Sequence, residues 1–257
     1  MTASPRPTPV CELLPWDSEF FGCRIARVCG NRLNESQAAA VEEWIRSERL
    51  DGLYFLADAR SAETICTAEN HGFRLVDIRM TLERRTVKDP PLTAIGTSTS
   101  FAIHPARPQD LPSLQVIARE AHTDTRFFSD PRIPRERAEN LYSTWIGLEC
   151  QGRAKRVLVA TSTQDKVWGY LSCHLDATTG IGQIGLAAVD KDARGQGVGT
   201  WLVRSALTWF ESQEAAAVTV VTQGKNIGAQ RLYQSSGFFS REVQLWYHRW
   251  FNAPNRF

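Results

Sequence analysis

The sequence lacks several features that would each have narrowed its function. No stretch approaches the ~20 consecutive apolar residues of a membrane-spanning helix. The opening residues, Met1 to Val10, are rich in Pro, Thr and Ser and hold no apolar core of the length a secretory leader needs. Charge of one sign is scarce: 30 Lys and Arg against 28 Asp and Glu leave +2, too little for a field that would hold nucleic acid or an anionic membrane. The six cysteines, Cys11, Cys23, Cys29, Cys66, Cys150 and Cys173, contain no CxxC pair. They read as neither a zinc site nor a disulfide framework, and the expectation is reduced thiols in a cytoplasmic protein with no metal. Two nucleotide-loop signatures are also missing. GxxxxGK[ST] does not occur, and the glycines that do cluster lack the GxGxxG spacing of a dinucleotide fold.

What is present suffices for one large domain or two modest ones, at 257 residues. Pro90-Pro91 and the Gly/Ser/Thr run after it, within Lys88 to Ser100, read as a linker. The expected division is an N-terminal domain over residues 1–92, a linker over 93–100 and a second domain over 101–257. In the latter, strands are predicted at Phe101–Ile103, Arg156–Ala160, Lys166–Leu175, Gly182–Val189, Ala217–Thr222 and Phe238–Tyr247. Helices are predicted from an Asp110 cap to His122, from Pro134 to Cys150, over Gln196–Ser212 and over Asn226–Ser236. The fold class is α/β, helices covering a sheet. When Gly72-Phe73 is aligned with Gly237-Phe238, the strand Leu53–Asp58, the helix Ser61–His71 and the strand Arg74–Leu82 fall on the last strand, helix and strand of the second domain. The N-terminal domain therefore reads as a truncated repeat, and without a glycine-rich loop it is expected to be catalytically silent.

The strongest chemical signal is Arg194-Gly195-Gln196-Gly197-Val198-Gly199-Thr200, entered from the apolar run Leu186-Ala187-Ala188-Val189. Alternate glycines let backbone N–H groups converge on a ligand, and the helix they open adds partial positive charge. Arg194 adds a full charge, so the segment suits a phosphate or pyrophosphate. Farther on, Asn226 and Tyr233 are two helical turns apart and project from one face.

The run Arg194 to Gly199 resembles the [RQ]-x-x-G-x-[GA] loop of the GNAT acetyltransferase superfamily. Asn226 to Phe238 is similar to the N-x-x-A-x-x-x-Y-x-x-x-G-F helix that follows it there. This resemblance covers about Phe101 to Arg249. It implies a mixed, mostly antiparallel GNAT sheet flanked by helices, with acetyl-CoA as co-substrate. It further implies that Leu186, Ala187, Ala188 and Val189 pair with the pantetheine arm, and that the amides of Gly195 to Thr200 hold the pyrophosphate. Asn226 would contact the cofactor arm near the thioester, and Tyr233 would be the general acid toward the leaving sulfur. His174, Asp176, Asp190 and water remain open as the base.

A second resemblance extends over most of the chain. Leu14-Pro15-Trp16-Asp17-Ser18-Glu19-Phe20-Phe21-Gly22 looks like the opening of the TDP-fucosamine acetyltransferase family, in which a truncated GNAT-like domain precedes the catalytic one. Thr125-Arg126-Phe127, Tyr142 and Trp145-Ile146 are similar to further segments of that family. The acceptor implied is the amine of a 4-amino-4,6-dideoxy sugar carried on TDP, with Arg126, Phe127 and Asp130 as substrate contacts. Trp16, Phe20 and Phe21 read as core. The partner is thus a small molecule, with neither nucleic acid nor membrane, and a homodimer is left open. Two rival readings remain: a GNAT enzyme acting on a protein or peptide amine, and a non-catalytic acyl-CoA-binding module.

Overall fold

The computed structural model describes residues 9–86 and 100–251. Except for Ser100, the expected linker lies outside them. The chain divides into two compact units. The first comprises Met1–Arg79, Arg126–Pro134 and Val243–Phe257, and the second Met80–Thr125 and Arg135–Glu242. This departs from a division in chain order. The reason is that two strands of 12 residues, β4 (Arg74–Arg85) and β10 (Phe239–Trp250), each begin in one unit and end in the other.

The first unit contains β1 (Cys11–Leu13), α1 (Pro15–Phe21), β2 (Ile25–Val28), α2 (Glu35–Glu48), β3 (Gly52–Asp58), α3 (Ala62–Asn70) and the start of β4 (Arg74–Arg85). Asn34 starts α2 with a capping box: its side chain accepts from the Gln37 amide at 2.9 Å and Gln37 answers at 3.0 Å. The α2 residues Ala38, Val41 and Ile45 then pack on Leu53, Phe55 and Ala57 of β3. β2 runs parallel to β3, and Gln244–Trp250 pair antiparallel with β3. Of the three N-terminal aromatics read as core, only Phe21 is buried; Trp16 is exposed and stacks on Phe20 at 5.2 Å.

The second unit contains β5 (Phe101–Pro105), α4 (Leu111–Ala121), α6 (Arg135–Leu148), β6 (Arg156–Ser162), β7 (Val167–Leu175), β8 (Ile181–Val189), α7 (Val198–Ser212), β9 (Ala217–Gln223), α8 (Ile227–Ser235) and the start of β10 (Phe239–Trp250). A four-residue α5 (Arg126–Ser129) belongs to the first unit. Strands β5 to β8 pair antiparallel in succession, and β8 pairs parallel with β9, giving a mixed sheet. One face is covered by Leu202, Val203, Ala206, Leu207 and Phe210 of α7, packed on Leu158, Leu171, Cys173 and Ile184. Asp110 does not cap α4 as predicted. Its carboxylate turns back to accept the Arg107 amide at 2.7 Å, closing a short 3-10 turn instead. The helix predicted to run to Cys150 ends at Leu148 and continues as a π-helical turn, Glu149–Arg153.

The expected repeat has a local counterpart. α3 ends with Gly72 at φ +75 and hydrogen bonds Gly72 N→Glu69 O and Phe73 N→Ala68 O, both 3.0 Å. α8 is followed by Gly237 at φ +85 with Gly237 N→Gln234 O and Phe238 N→Tyr233 O, also 3.0 Å. Both turns need a left-handed residue, which is why glycine occupies each.

Candidate active site

β8 carries a bulge where the site begins. Leu171 of β7 faces Ala187, but Cys173 faces Ile184, so Gly185 and Leu186 together oppose Ser172. The Leu186 amide, displaced from the ladder, donates to Ser172 Oγ at 2.8 Å. On the other side, β8 pairs with β9 only from Ile181↔Ala217 to Ile184↔Val220. Beyond the bulge, Ala187 to Val189 have a strand neighbour on the β7 side alone among the described residues. Their second edge is open backbone of the kind that accepts an extended ligand as an added strand.

That open edge leads into the glycine loop. Gly195 and Gly197 adopt φ +75 and +80, the left-handed region that glycine enters without strain. α7 starts at Val198 with no side-chain cap, and its first helical bond is Trp201 N→Gly197 O at 3.1 Å. The amides of Val198, Gly199 and Thr200 therefore have no partner within the helix, and the helix dipole adds positive potential there. A cleft of about 690 Å³ joins loop and strand edge. Ala187 to Val189, Arg194, Gly195, Gly197 to Thr200, Asn226 and Tyr233 line it. Leu186 and Gln196 do not: the Gln196 amide donates to Asp192 O at 3.1 Å, holding the turn before the loop.

Asn226 caps α8, its Oδ1 accepting the Ala229 amide at 3.0 Å. The cap uses the oxygen, and no described residue accepts from Nδ2. Tyr233 is 5% exposed and packs edge-on to Phe238. Burial raises its pKa, so the phenol remains a neutral donor. Its hydroxyl makes no hydrogen bond to any described residue, nor is it sealed in the interior.

The three side chains named for the base are occupied elsewhere, and none lines the cleft. His174 Nε2 lies 2.7 Å from Oε2 of buried Glu149. Asp176 accepts the Thr178 and Thr179 amides at 2.8 and 3.1 Å, which hold its pKa below the usual carboxylate value. Asp190 accepts the Asp192 amide at 2.9 Å. The cleft is lined instead by a group that sequence reasoning missed, His122 at the end of α4, together with Tyr170 of β7. A lone histidine after a helix carries no motif; only the packing of α4 on β7 identifies it.

Arg126, Phe127 and Asp130 do not line the cleft either. In the first unit the Arg126 guanidinium lies 4.2–4.4 Å from the ring centres of Tyr54, Phe127 and Trp246. Phe127 is 2% exposed. Asp130, 3% exposed, accepts from His248 Nδ1 at 2.6 Å, Trp250 Nε1 at 2.7 Å and the Arg132 amide at 2.9 Å. These residues pack and pair charges within that unit. No group of three or more His, Cys, Asp or Glu suited to a metal ion occurs among the described residues.

Residues 117–238 match the profile of the Acetyltransferase (GNAT) family. The chain carries a GNAT domain. Its fold agrees with this: the GCN5-related N-acetyltransferase from Sphaerobacter thermophilus superposes with a TM-score of 0.67 at 17% identity, over 95% of this chain and 78% of that one. A tandem GNAT protein from the clavulanic acid biosynthesis pathway gives 0.63 at 14% identity, over 90% and 77%. Among curated proteins, Spore coat polysaccharide biosynthesis protein SpsD of Bacillus subtilis (strain 168) is 29% identical over 63% of this chain, a match spanning 55% of that protein's length. The dTDP-fucosamine acetyltransferase of Escherichia coli O6:H1 is 26% identical over 93% of this chain and 97% of its own.

Proposed function

We propose that this acetyltransferase moves an acetyl group from acetyl-CoA to the amine of a nucleotide-linked amino sugar, of the TDP-4-amino-4,6-dideoxy class, by direct attack in a ternary complex. The observation that carries the cofactor half is that the unpaired edge of β8 and the uncapped amides at the head of α7 line one cleft. In this reading Leu186 to Val189 receive the pantetheine arm as an added strand, and the amides from Gly195 to Thr200, with Arg194 at the rim, hold the pyrophosphate. Holding donor and amine together supplies much of the acceleration. Tyr233 donates to the departing sulfur, and Asn226 Nδ2 fixes the arm beside it. The acceptor half is supported by the similarity along nearly the full length of the dTDP-fucosamine acetyltransferase.

The test is calorimetry with acetyl-CoA, followed by a turnover screen over TDP-amino sugars and peptide amines. Arg194→Ala is expected to weaken acetyl-CoA about tenfold, the loss of one exposed charge-assisted contact. Unchanged affinity would remove the pyrophosphate assignment. Turnover of peptides but not of TDP-amino sugars would remove the sugar.

A further inference from the structure

The cleft contains an imidazole to which no role has yet been given. His122 follows the last turn of α4, and its ring is sandwiched by packing: it stacks on Tyr142 with ring centres 4.5 Å apart and an 18° tilt. Its Nε2 lies 2.9 Å from the hydroxyl of Tyr170. Tyr170 is fully buried and follows the strand alternation, so while Leu171 beside it enters the core under α7, Tyr170 points to the opposite face, toward α4. Tyr170 pairs in register with Ala188, and both line the cleft together with Tyr233. The other ring nitrogen, Nδ1, makes no hydrogen bond to any described residue and is not sealed in the interior. One edge of the imidazole is thus anchored and the other is open.

We propose that His122 is the proton acceptor for the attacking amine, with Tyr170 as the residue that orients it. This rests on the acetyl-transfer reading above. With Nε2–H donated to the Tyr170 oxygen, the lone pair lies on Nδ1 and faces the cleft. As the amine nitrogen forms its bond to the thioester carbonyl carbon, the carbonyl π pair moves onto oxygen and the nitrogen's proton passes to Nδ1. The oxygen pair then re-forms the carbonyl as the C–S bond breaks, and the sulfur leaves as a thiolate steadied by a hydrogen bond from Tyr233. His122 afterwards gives its proton to solvent and the thiolate takes one up, so amine and thioester become amide and thiol with nothing left over. Burial lowers the His122 pKa to about 4, so above that pH the ring is unprotonated and its Nδ1 lone pair is free, although burial also makes it a weaker base than an exposed imidazole. The same burial raises Tyr170 well above its ordinary value, so Tyr170 remains a phenol and does not compete as a base.

His122→Gln is the informative substitution, because a Gln amide reaches Tyr170 as Nε2 does yet has no basic nitrogen. In single-turnover measurements with the acceptor found for the wild type, the rate is expected to fall about 100-fold, the lower end of general-base contributions, with acetyl-CoA affinity unchanged. Tyr170→Phe is expected to fall about tenfold, because the ring loses its anchor but keeps its base. A His122→Gln enzyme that binds acetyl-CoA and turns over within about threefold of wild type overturns the proposal. If His122→Gln fails to bind acetyl-CoA, His122→Ala with added imidazole decides: partial recovery of rate supports the role and no recovery overturns it. A wild type that binds acetyl-CoA but acetylates no amine is a failure of the function itself, and appears before any variant is made.

Discussion

Tyr233 and Asn226 show how far a residue can be read from its spacing. Two turns of helix put both on one face in the sequence, and both line one cleft in the structure. Asn226 also caps α8, a role that needs only its oxygen. His122 was not legible: its environment comes from Tyr142 and Tyr170, which are distant in sequence. For Tyr233 the structure sharpens an expectation. The ring supplies the packing and the hydroxyl has no partner among the described residues, so Tyr233→Phe should change stability by no more than about 0.5 kcal/mol. In the proposed reaction the hydroxyl acts as charge builds on sulfur, so its loss should fall on the transition state. Because the raised pKa makes full proton transfer less favourable, hydrogen-bond donation is its main contribution, and a drop near 100-fold in single-turnover rate is expected with unchanged acetyl-CoA affinity. Wild-type rate in the variant would remove the role.

Elements were legible where local chemistry decided them. The glycine loop could be read because φ near +80 at Gly195 and Gly197 admits little else, and α7 follows from the apolar spacing that meets the sheet. The bulge in β8 left no such trace, since two residues opposing Ser172 is a property of pairing and not of composition. The cap at Asp110 was misread for a related reason: the carboxylate had two amides within reach, and the upstream turn won. The bulge has a measurable consequence. Ser172 is fully buried and its Oγ is the acceptor for the displaced Leu186 amide. Ser172→Ala should therefore cost about 1 kcal/mol in urea unfolding, because a part-buried N–H is left without its acceptor. Stability within about 0.5 kcal/mol of wild type would show that the amide finds another partner.

Across the whole molecule, the strongest pH dependence should come from histidines that the fold keeps neutral. In the first unit His248 is 1% exposed, and Arg126 Nη1 stands 2.9 Å from its Nε2. Arginine can only donate, so Nε2 accepts and Nδ1–H donates to Asp130 at 2.6 Å. A second proton on His248 would have to displace the guanidinium. Burial foremost, with Arg126 adding to it and Asp130 opposing, lowers its pKa to about 4 from an ordinary 6.5. The folded protein then binds this proton less readily than the unfolded chain, so the contribution to stability is fully present above pH 6.5 and is lost as pH falls through about 4. A shift of that size corresponds to about 3 kcal/mol from His248. His122, in the second unit, is shifted in the same direction and half-buried, so its share is smaller. Asp130 acts in a lower window. Burial alone would raise it, but its donors outweigh burial and hold it below the usual carboxylate value, so its contribution disappears only as pH falls below the ordinary carboxylate range. Urea unfolding at steps from pH 7.5 to 4 should therefore show stability falling by a few kcal/mol below 6.5, beside a smaller, opposite loss above 6.5 as His71, raised by Glu35 and Glu42, gives up its proton. His248→Gln should be less stable at pH 7.5, because Asp130 loses a donor, yet distinctly flatter from 6.5 to 4. A variant that keeps the wild-type slope would mean that His248 does not carry the acid sensitivity, and that the Arg126–His248–Asp130 chain does not fix the tautomer as argued.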